Sequence, residues 1–118
     1  KIKMVFAEGS NARILSAVNY LIEDNKIDPI LLGDKEIIHK KMEKLGLEHL
    51  KKLEVITPEN SKNFKNFSRE YCEEKQRSGV SIYHAEDLMA QETYFGSKMV
   101  SNGLADAFIA LCVRHQAL

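Results

Sequence analysis

The sequence predicts an α/β fold of three layers, in which helices cover both faces of a mostly parallel sheet. Short runs of strand-forming residues alternate with segments of helical apolar spacing at intervals of roughly 25 residues, as right-handed βαβ units require. Residues 105–111 (ADAFIAL) are nearly all apolar, which is typical of a central parallel strand covered on both sides. The 118 residues, 44% hydrophobic and 29% charged, fit one globular domain.

The first βα unit begins with residues 2–7 (IKMVFA), a predicted strand that Gly9 and Ser10 break. Ser10 or Asn11 then caps a helix. Its apolar stripe consists of Ile14, Leu15, Val18, Leu21 and Ile22.

The second and third units follow the same pattern. Residues 27–33 (IDPILLG) form a strand, Asp34 caps a helix, and Gly46 ends it. Residues 53–56 (LEVI) form a short strand. A third helix follows and runs to about Ser78, where Gly79 stops it.

Two short helices precede the last predicted strand. Ser81 caps the first of them, and Asn102-Gly103 ends the second. A buried strand usually leads to a ligand-binding loop, and only seven residues follow residue 111 here. We therefore expect residues 1–118 to be the N-terminal part of a larger domain, with a complete small domain as the alternative.

The composition narrows the class of partner. Lys and Arg together number 17, as do Asp and Glu, so net charge favours neither a nucleic acid nor an anionic membrane as partner. No segment approaches the roughly 20 apolar residues that span a bilayer. Cys72 and Cys112 lie in apolar segments and lack the close spacing of a metal site or redox pair. We therefore expect both to be reduced core residues of a cytoplasmic protein. The histidines lack ligand spacing, so we expect no metal site.

The stretch AEGSNAR is the first candidate site. Gly9 permits a tight turn before a helix N-terminus that suits an anion, and Arg13 adds donors. Glu8 opposes an anion there, and the GxGxxG spacing is missing. A structural turn with an ion pair between Glu8 and Arg13 is the equal alternative.

Two basic stretches are further candidates. Lys75 and Arg77 precede Gly79 and could hold a phosphate, although cations in a last helical turn also complement the helix dipole. Arg114 follows the last predicted strand, at the edge of the sheet where α/β proteins bind ligands.

Three segments in register resemble one family across nearly the whole chain. They are VFAEGSNARIL, DPILLGDKEII followed by KLGL, and KQRSGVSIYHAEDLMAQETYFGSKMVSNGLADAFIAL. Together they resemble the first part of the phosphate acetyltransferase and butyryltransferase domain. The resemblance implies a phosphotransacetylase-like (isocitrate-dehydrogenase-like) α/β/α fold.

That domain occurs as a free-standing acyltransferase and as the C-terminal part of large bacterial malic enzymes. Free-standing members usually carry a phosphate-contacting arginine four positions before the matching glycine, where this chain has Lys75. The malic-enzyme version more often resembles QRSGVS, with the basic residue at the position of Arg77. The resemblance therefore favours a malic enzyme, with phosphate acetyltransferase and a non-catalytic oligomerisation module as alternatives.

The malic-enzyme resemblance implies a parent protein that oxidatively decarboxylates malate to pyruvate. It implies NADP and a divalent metal (Mg or Mn) in an N-terminal part, and a domain that assembles a homo-oligomer and senses acetyl-CoA. Lys75, Arg77, Gly79 and Arg114 are then the candidates for phosphate or acyl-CoA binding. Acyltransfer in the family also uses residues of the second half of the domain, so we expect this chain alone not to be catalytic. Glu8, Gly9 and Arg13 then form a turn near the cleft, fixed by the Glu8–Arg13 pair.

Overall fold

A computed structural model of the protein describes residues 1–110. Its four strands are all parallel and lie in the order β3-β2-β1-β4. The strands are β1 (Ile2–Phe6), β2 (Ile27–Leu32), β3 (Glu54–Ile56) and β4 (Ala107–Ile109). The helices are α1 (Ala12–Leu21), α2 (Lys35–Lys44), α3 (Phe64–Glu74), α4 (Ile82–Met89) and α5 (Glu92–Ser101).

Two apolar clusters on opposite faces of the sheet confirm the three predicted layers. On one face, α1 and α2 pack with Phe6 and Leu31 of the central strands. On the other face, Phe67 of α3, Met89 of α4 and Phe95 of α5 pack with Val5, Ile30 and Leu32. Neighbouring residues of β1 and β2 point to opposite faces because side chains alternate along a strand.

The predicted helix starts are confirmed by their capping hydrogen bonds. Asn11, rather than Ser10, accepts from the backbone N–H of Arg13 at 2.8 Å. Asp34 accepts from two backbone N–H groups of α2, at 2.9 and 3.2 Å. Ser81 accepts from the N–H of His84 at 3.1 Å. These bonds satisfy donors that the first turn of a helix leaves unpaired.

The third helix ends earlier than predicted. α3 stops at Glu74, and a 3₁₀ turn at Gln76–Ser78 carries the chain to Gly79, whose φ is +75°. This left-handed conformation is easy for glycine, and it directs the chain back into α4. The residues from Lys75 to Gly79 therefore form a separate turn instead of the last turn of a helix.

The strand predicted at residues 105–111 is shorter in the described part of the chain. β4 covers only Ala107–Ile109 and pairs with β1 alone among residues 1–110. It lies at an edge of the described sheet, and Ile109 is 36% exposed. β1 and β2 hold the central positions instead, because each pairs on both sides. Residue 111 lies outside the described residues.

Candidate functional site

The turn after β1 does not contain the predicted ion pair. Among residues 1–110, no salt bridge joins Glu8 to Arg13, and Arg13 is exposed and lines neither of the two clefts described below. The prediction of a Glu8–Arg13 pair is therefore wrong. The cap at Asn11 fixes this turn instead.

Gly9 serves close packing of the backbone. It is buried, and its N–H donates to the carbonyl of Leu32 at 3.0 Å. A Cβ at this position would lie 2.7 Å from Cδ1 of Ile38 and 3.0 Å from the Leu32 carbonyl oxygen. The glycine thus brings the first turn against β2, and this approach leaves no room for an anion beside its Cα.

Glu92 is the partner of this turn that sequence reasoning missed. The backbone N–H of Glu8, which has a φ of +55°, donates to Oε1 of Glu92 at 2.5 Å. Burial raises the pKa of the half-buried Glu92 carboxyl. The neighbouring Glu8 carboxylate raises this pKa further, while the hydrogen bond from Glu8 opposes both effects. The only signal in the sequence was an acidic residue in a first helical turn, which does not reveal a partner 84 residues away.

The structure brings Lys75, Arg77 and Gly79 together in the turn after α3. All three are exposed, and the ammonium of Lys75 lies 5.9 Å from the centre of the Tyr71 ring, within range of a cation–π contact. No salt bridge within residues 1–110 involves Lys75 or Arg77. A Cβ at Gly79 would meet no atom within 4 Å, so the turn borders open space. Two cations next to open space can bind an anionic group.

Beside this turn lies a buried lysine that sequence reasoning also missed. Lys98 of α5 is 8% exposed, and its Nζ donates to Glu70 at 2.6 Å and to both carboxylate oxygens of Glu74 at 3.0 Å. Burial lowers the pKa of Lys98, but these bonds outweigh it and the pKa is raised. The bonds from Lys98, and then from Asn102, lower the pKa of Glu70. Lys98 and Glu70 are therefore charged at neutral pH.

Two clefts open on the α3–α5 side of the molecule. The smaller, of about 350 Å³, is formed by α3, the end of α4, and α5. It is lined by Tyr71, Glu74, Lys75, Met89, Tyr94, Ser97, Lys98 and Ser101. The larger, of about 670 Å³, follows edge strand β3 and contains none of the predicted site residues. Of the predicted site residues within 1–110, Lys75 alone lines one of these two clefts.

Helix α5 separates the two predicted groups. Its first residue, Glu92, contacts Glu8, whereas Asn102 just after its end donates to Glu70 of α3 at 3.2 Å. Arg114, the remaining candidate, lies outside the described residues.

Residues 1–110 contain no group of three or more His, Cys, Asp or Glu side chains arranged to hold a metal ion. Within the same residues, no helix has both the length and the apolar character needed to cross a membrane.

Comparison with known families identifies the family of this chain. The family described as "Phosphate acetyl/butaryl transferase" matches residues 1–117. The chain belongs to this family. Within it, the chain is similar to parts of phosphate acetyltransferases and of malic enzymes.

A phosphate acetyltransferase of Nitratidesulfovibrio vulgaris is 33% identical over 110 residues, which cover 93% of this chain and 16% of that protein. The NADP-dependent malic enzyme of Escherichia coli is 34% identical over 110 residues, covering 91% of this chain and 14% of the enzyme. This member of the phosphotransacetylase family thus spans about a sixth of these relatives' length.

Solved structures of the family confirm the fold. The EutD phosphotransacetylase of Staphylococcus aureus superposes with a TM-score of 0.84 at 26% identity, over 100% of this chain and 35% of that one. A phosphotransacetylase of Streptococcus pyogenes gives the same TM-score over 99% of this chain and 35% of its own. The phosphotransacetylase-like α/β fold predicted from the sequence is therefore correct.

Proposed function

We propose that the turn from Lys75 to Gly79 binds the anionic group of a phosphate or acyl-CoA ligand. The observation that carries this proposal is the pair of cations, Lys75 and Arg77, beside open space at Gly79 and without a salt bridge inside residues 1–110. Charged donors that no carboxylate occupies can form charge-assisted hydrogen bonds to phosphate oxygens.

We further propose that the parent protein is a cytoplasmic NADP-dependent malic enzyme, with these residues forming the first part of its C-terminal phosphotransacetylase-like domain. The basic residue at Arg77 and the lysine at position 75 support this assignment, as does the 34% identity to the malic enzyme of Escherichia coli. An ammonium is a point charge without the planar fork of arginine, which can bind two oxygens of a leaving phosphate at once. Lys75 is therefore better suited to holding an effector than to catalysing acyl transfer.

In this proposal the domain assembles a homo-oligomer and binds acetyl-CoA as an effector of malate oxidation. The described residues hold no set of side chains that fits the divalent metal, so we assign no metal ligand to them. NADP and the metal would be bound in the malate-oxidising part of the parent protein. The contribution of this chain is limited to effector binding and assembly.

The test uses the full-length protein with acetyl-CoA. We expect acetyl-CoA to bind in a calorimetric titration and to change the rate of NADPH formation from malate. Arg77→Ala should weaken acetyl-CoA binding about tenfold, because one charge-assisted bond is lost. Arg69→Ala removes an exposed arginine of α3 outside the turn and should leave binding unchanged. A parent protein that neither oxidises malate nor binds acetyl-CoA would contradict the proposal.

A catalytic phosphate acetyltransferase is the second candidate. The match to the Nitratidesulfovibrio vulgaris enzyme and the TM-score of 0.84 to solved phosphotransacetylases favour it. In that reaction the thiolate of coenzyme A attacks the carbonyl carbon of acetyl phosphate, and phosphate leaves. Cations stabilise the negative charge on the departing phosphate. Thioester formation from coenzyme A and acetyl phosphate by the full-length protein would establish this candidate. A defined oligomer whose thermal stability neither ligand changes would instead indicate a non-catalytic oligomerisation module.

A further inference from the structure

Lys98 of α5 contacts the last two turns of α3. Its ammonium is bound by Glu70 and Glu74, which lie one helical turn apart on α3. The Lys98 side chain is 10% exposed, whereas those of Glu70 and Glu74 are 41% and 54% exposed. The lysine is thus the buried member of the network, and of the two carboxylates only that of Glu74 lines the cleft with it.

Glu74 is the residue directly before Lys75. Both of its carboxylate oxygens face Lys98 at 3.0 Å, and no salt bridge connects Glu74 with Lys75. The ammonium of Lys75 lies instead over the ring of Tyr71, which contacts Tyr94 of α5 edge to face at 6.0 Å. Glu74, Lys75 and Lys98 all line the same cleft.

We infer that Lys98 is a positioning residue that holds Glu74 away from Lys75, so that the Lys75 ammonium remains available to an anionic ligand. This inference rests on the proposed anion-binding function of the Lys75–Gly79 turn. It adds to that function a residue outside the turn that controls the charge of the site.

The charges in the cleft explain why such a residue is needed. With Lys98 present, its positive charge compensates a carboxylate that would otherwise lie next to Lys75. Without it, the Glu74 carboxylate has no buried cation and can turn toward Lys75, where it would compete with the ligand and weaken the local positive potential.

The experiment measures binding of inorganic phosphate and of acetyl-CoA to the full-length protein by calorimetry. Lys98→Met, which keeps the length of the side chain and removes its charge, should raise the dissociation constant roughly three- to tenfold. The double variant Lys98→Met/Glu74→Gln should return it to within twofold of the unaltered protein. Lys98→Arg, which preserves the charge, should also stay within twofold.

The double variant distinguishes control of charge from support of the fold. If Lys98 only supports the fold, adding Glu74→Gln will not restore binding, and that result overturns the inference. Unchanged binding in Lys98→Met, together with lost binding in Lys75→Ala, overturns the inference but leaves the proposed function standing. An unaltered protein that binds neither probe overturns both.

Glu74→Gln alone keeps the inference testable if Lys98→Met fails to fold. Because Lys98 already holds Glu74, this variant should bind both probes within twofold of the unaltered protein. A larger gain in affinity would mean that Glu74 competes with the ligand despite Lys98, and would overturn the inference.

Discussion

Glu8 adopts a backbone conformation that is uncommon for a residue with a side chain. Its φ of +55° lies in the left-handed region, which costs a non-glycine residue roughly 1 kcal/mol or more. Two hydrogen bonds hold it there: its N–H donates to Glu92 at 2.5 Å, and its carbonyl accepts from Asn11 at 2.8 Å. The carboxylate of Glu92 therefore fixes the geometry of the first turn.

The raised pKa of Glu92 gives this contact a pH dependence of known sign. Burial is the largest cause, and it favours the protonated carboxyl in the folded state. The folded protein then binds this proton more tightly than the unfolded chain does, so the contribution of Glu92 to stability falls as pH rises. The fall begins near the unfolded pKa of about 4.3 and ends above the raised folded pKa.

We therefore predict that Glu92→Gln reduces the loss of folding stability as pH rises. The amide oxygen can still accept from the N–H of Glu8 and carries no charge to bury. The variant should match the unaltered protein below about pH 4 and gain up to about 1 kcal/mol at neutral pH. Urea unfolding at several pH values measures the difference, and parallel pH profiles would contradict the prediction.

Glu70→Gln is the matched control of opposite sign. The hydrogen bond from Lys98 lowers the pKa of Glu70, so its contribution is present above the unfolded pKa and is lost as pH falls. This variant should be less stable than the unaltered protein at neutral pH, and the difference should disappear in acid.

The candidate site was only partly predictable from the sequence. The cations at Lys75 and Arg77 were identified because short-range features, a helix end and a glycine, mark that turn. The pair of Glu8 and Arg13 was predicted from proximity in sequence alone, and the cap at Asn11 took its place. Glu92 and Lys98 were missed because their partners lie 84 and 24 to 28 residues away, and local patterns carry no signal at that range.

At the scale of elements, helix α5 packs onto strand β4 through a glycine. A Cβ on Gly96 would lie 2.2 and 2.3 Å from two ring atoms of Phe108. The aromatic ring thus occupies the space that a side chain on α5 would need. Glycine costs a helix interior roughly 1 kcal/mol relative to alanine, and here the close approach of the ring offsets that cost.

We predict that Gly96→Ala destabilises the protein by about 1–3 kcal/mol, despite the better helix propensity of alanine. Phe108 would have to leave its position against α5, as in other overpacked cores. Ser97→Ala, at the adjacent exposed position of the same helix, is the control and should change the free energy of unfolding by less than about 0.5 kcal/mol. Equal urea unfolding midpoints for the two variants would show that the ring adapts without cost.

At the scale of the whole molecule, the sequence predicted the elements better than their arrangement. Helical and strand periodicity, caps and glycines located every strand and helix to within a few residues, because these are local properties. The order β3-β2-β1-β4 depends on which strands pair, and an apolar run such as ADAFIAL fits a central or an edge position equally well.

The observed order predicts which strands exchange their amide protons most slowly. β1 and β2 have a hydrogen-bonded strand on both sides and a buried cluster on both faces. β3 pairs only with β2 among the described residues, and Glu54 at its start is exposed. Amides of Val5, Phe6 and Ile30–Leu32 should therefore exchange only on global unfolding, and those of β3 at least about tenfold faster through local opening. Hydrogen exchange with fragment separation measures both rates in one experiment. Equally slow exchange in β3 would mean that its outer edge is protected in the full protein, so that β3 opens only when the central strands do.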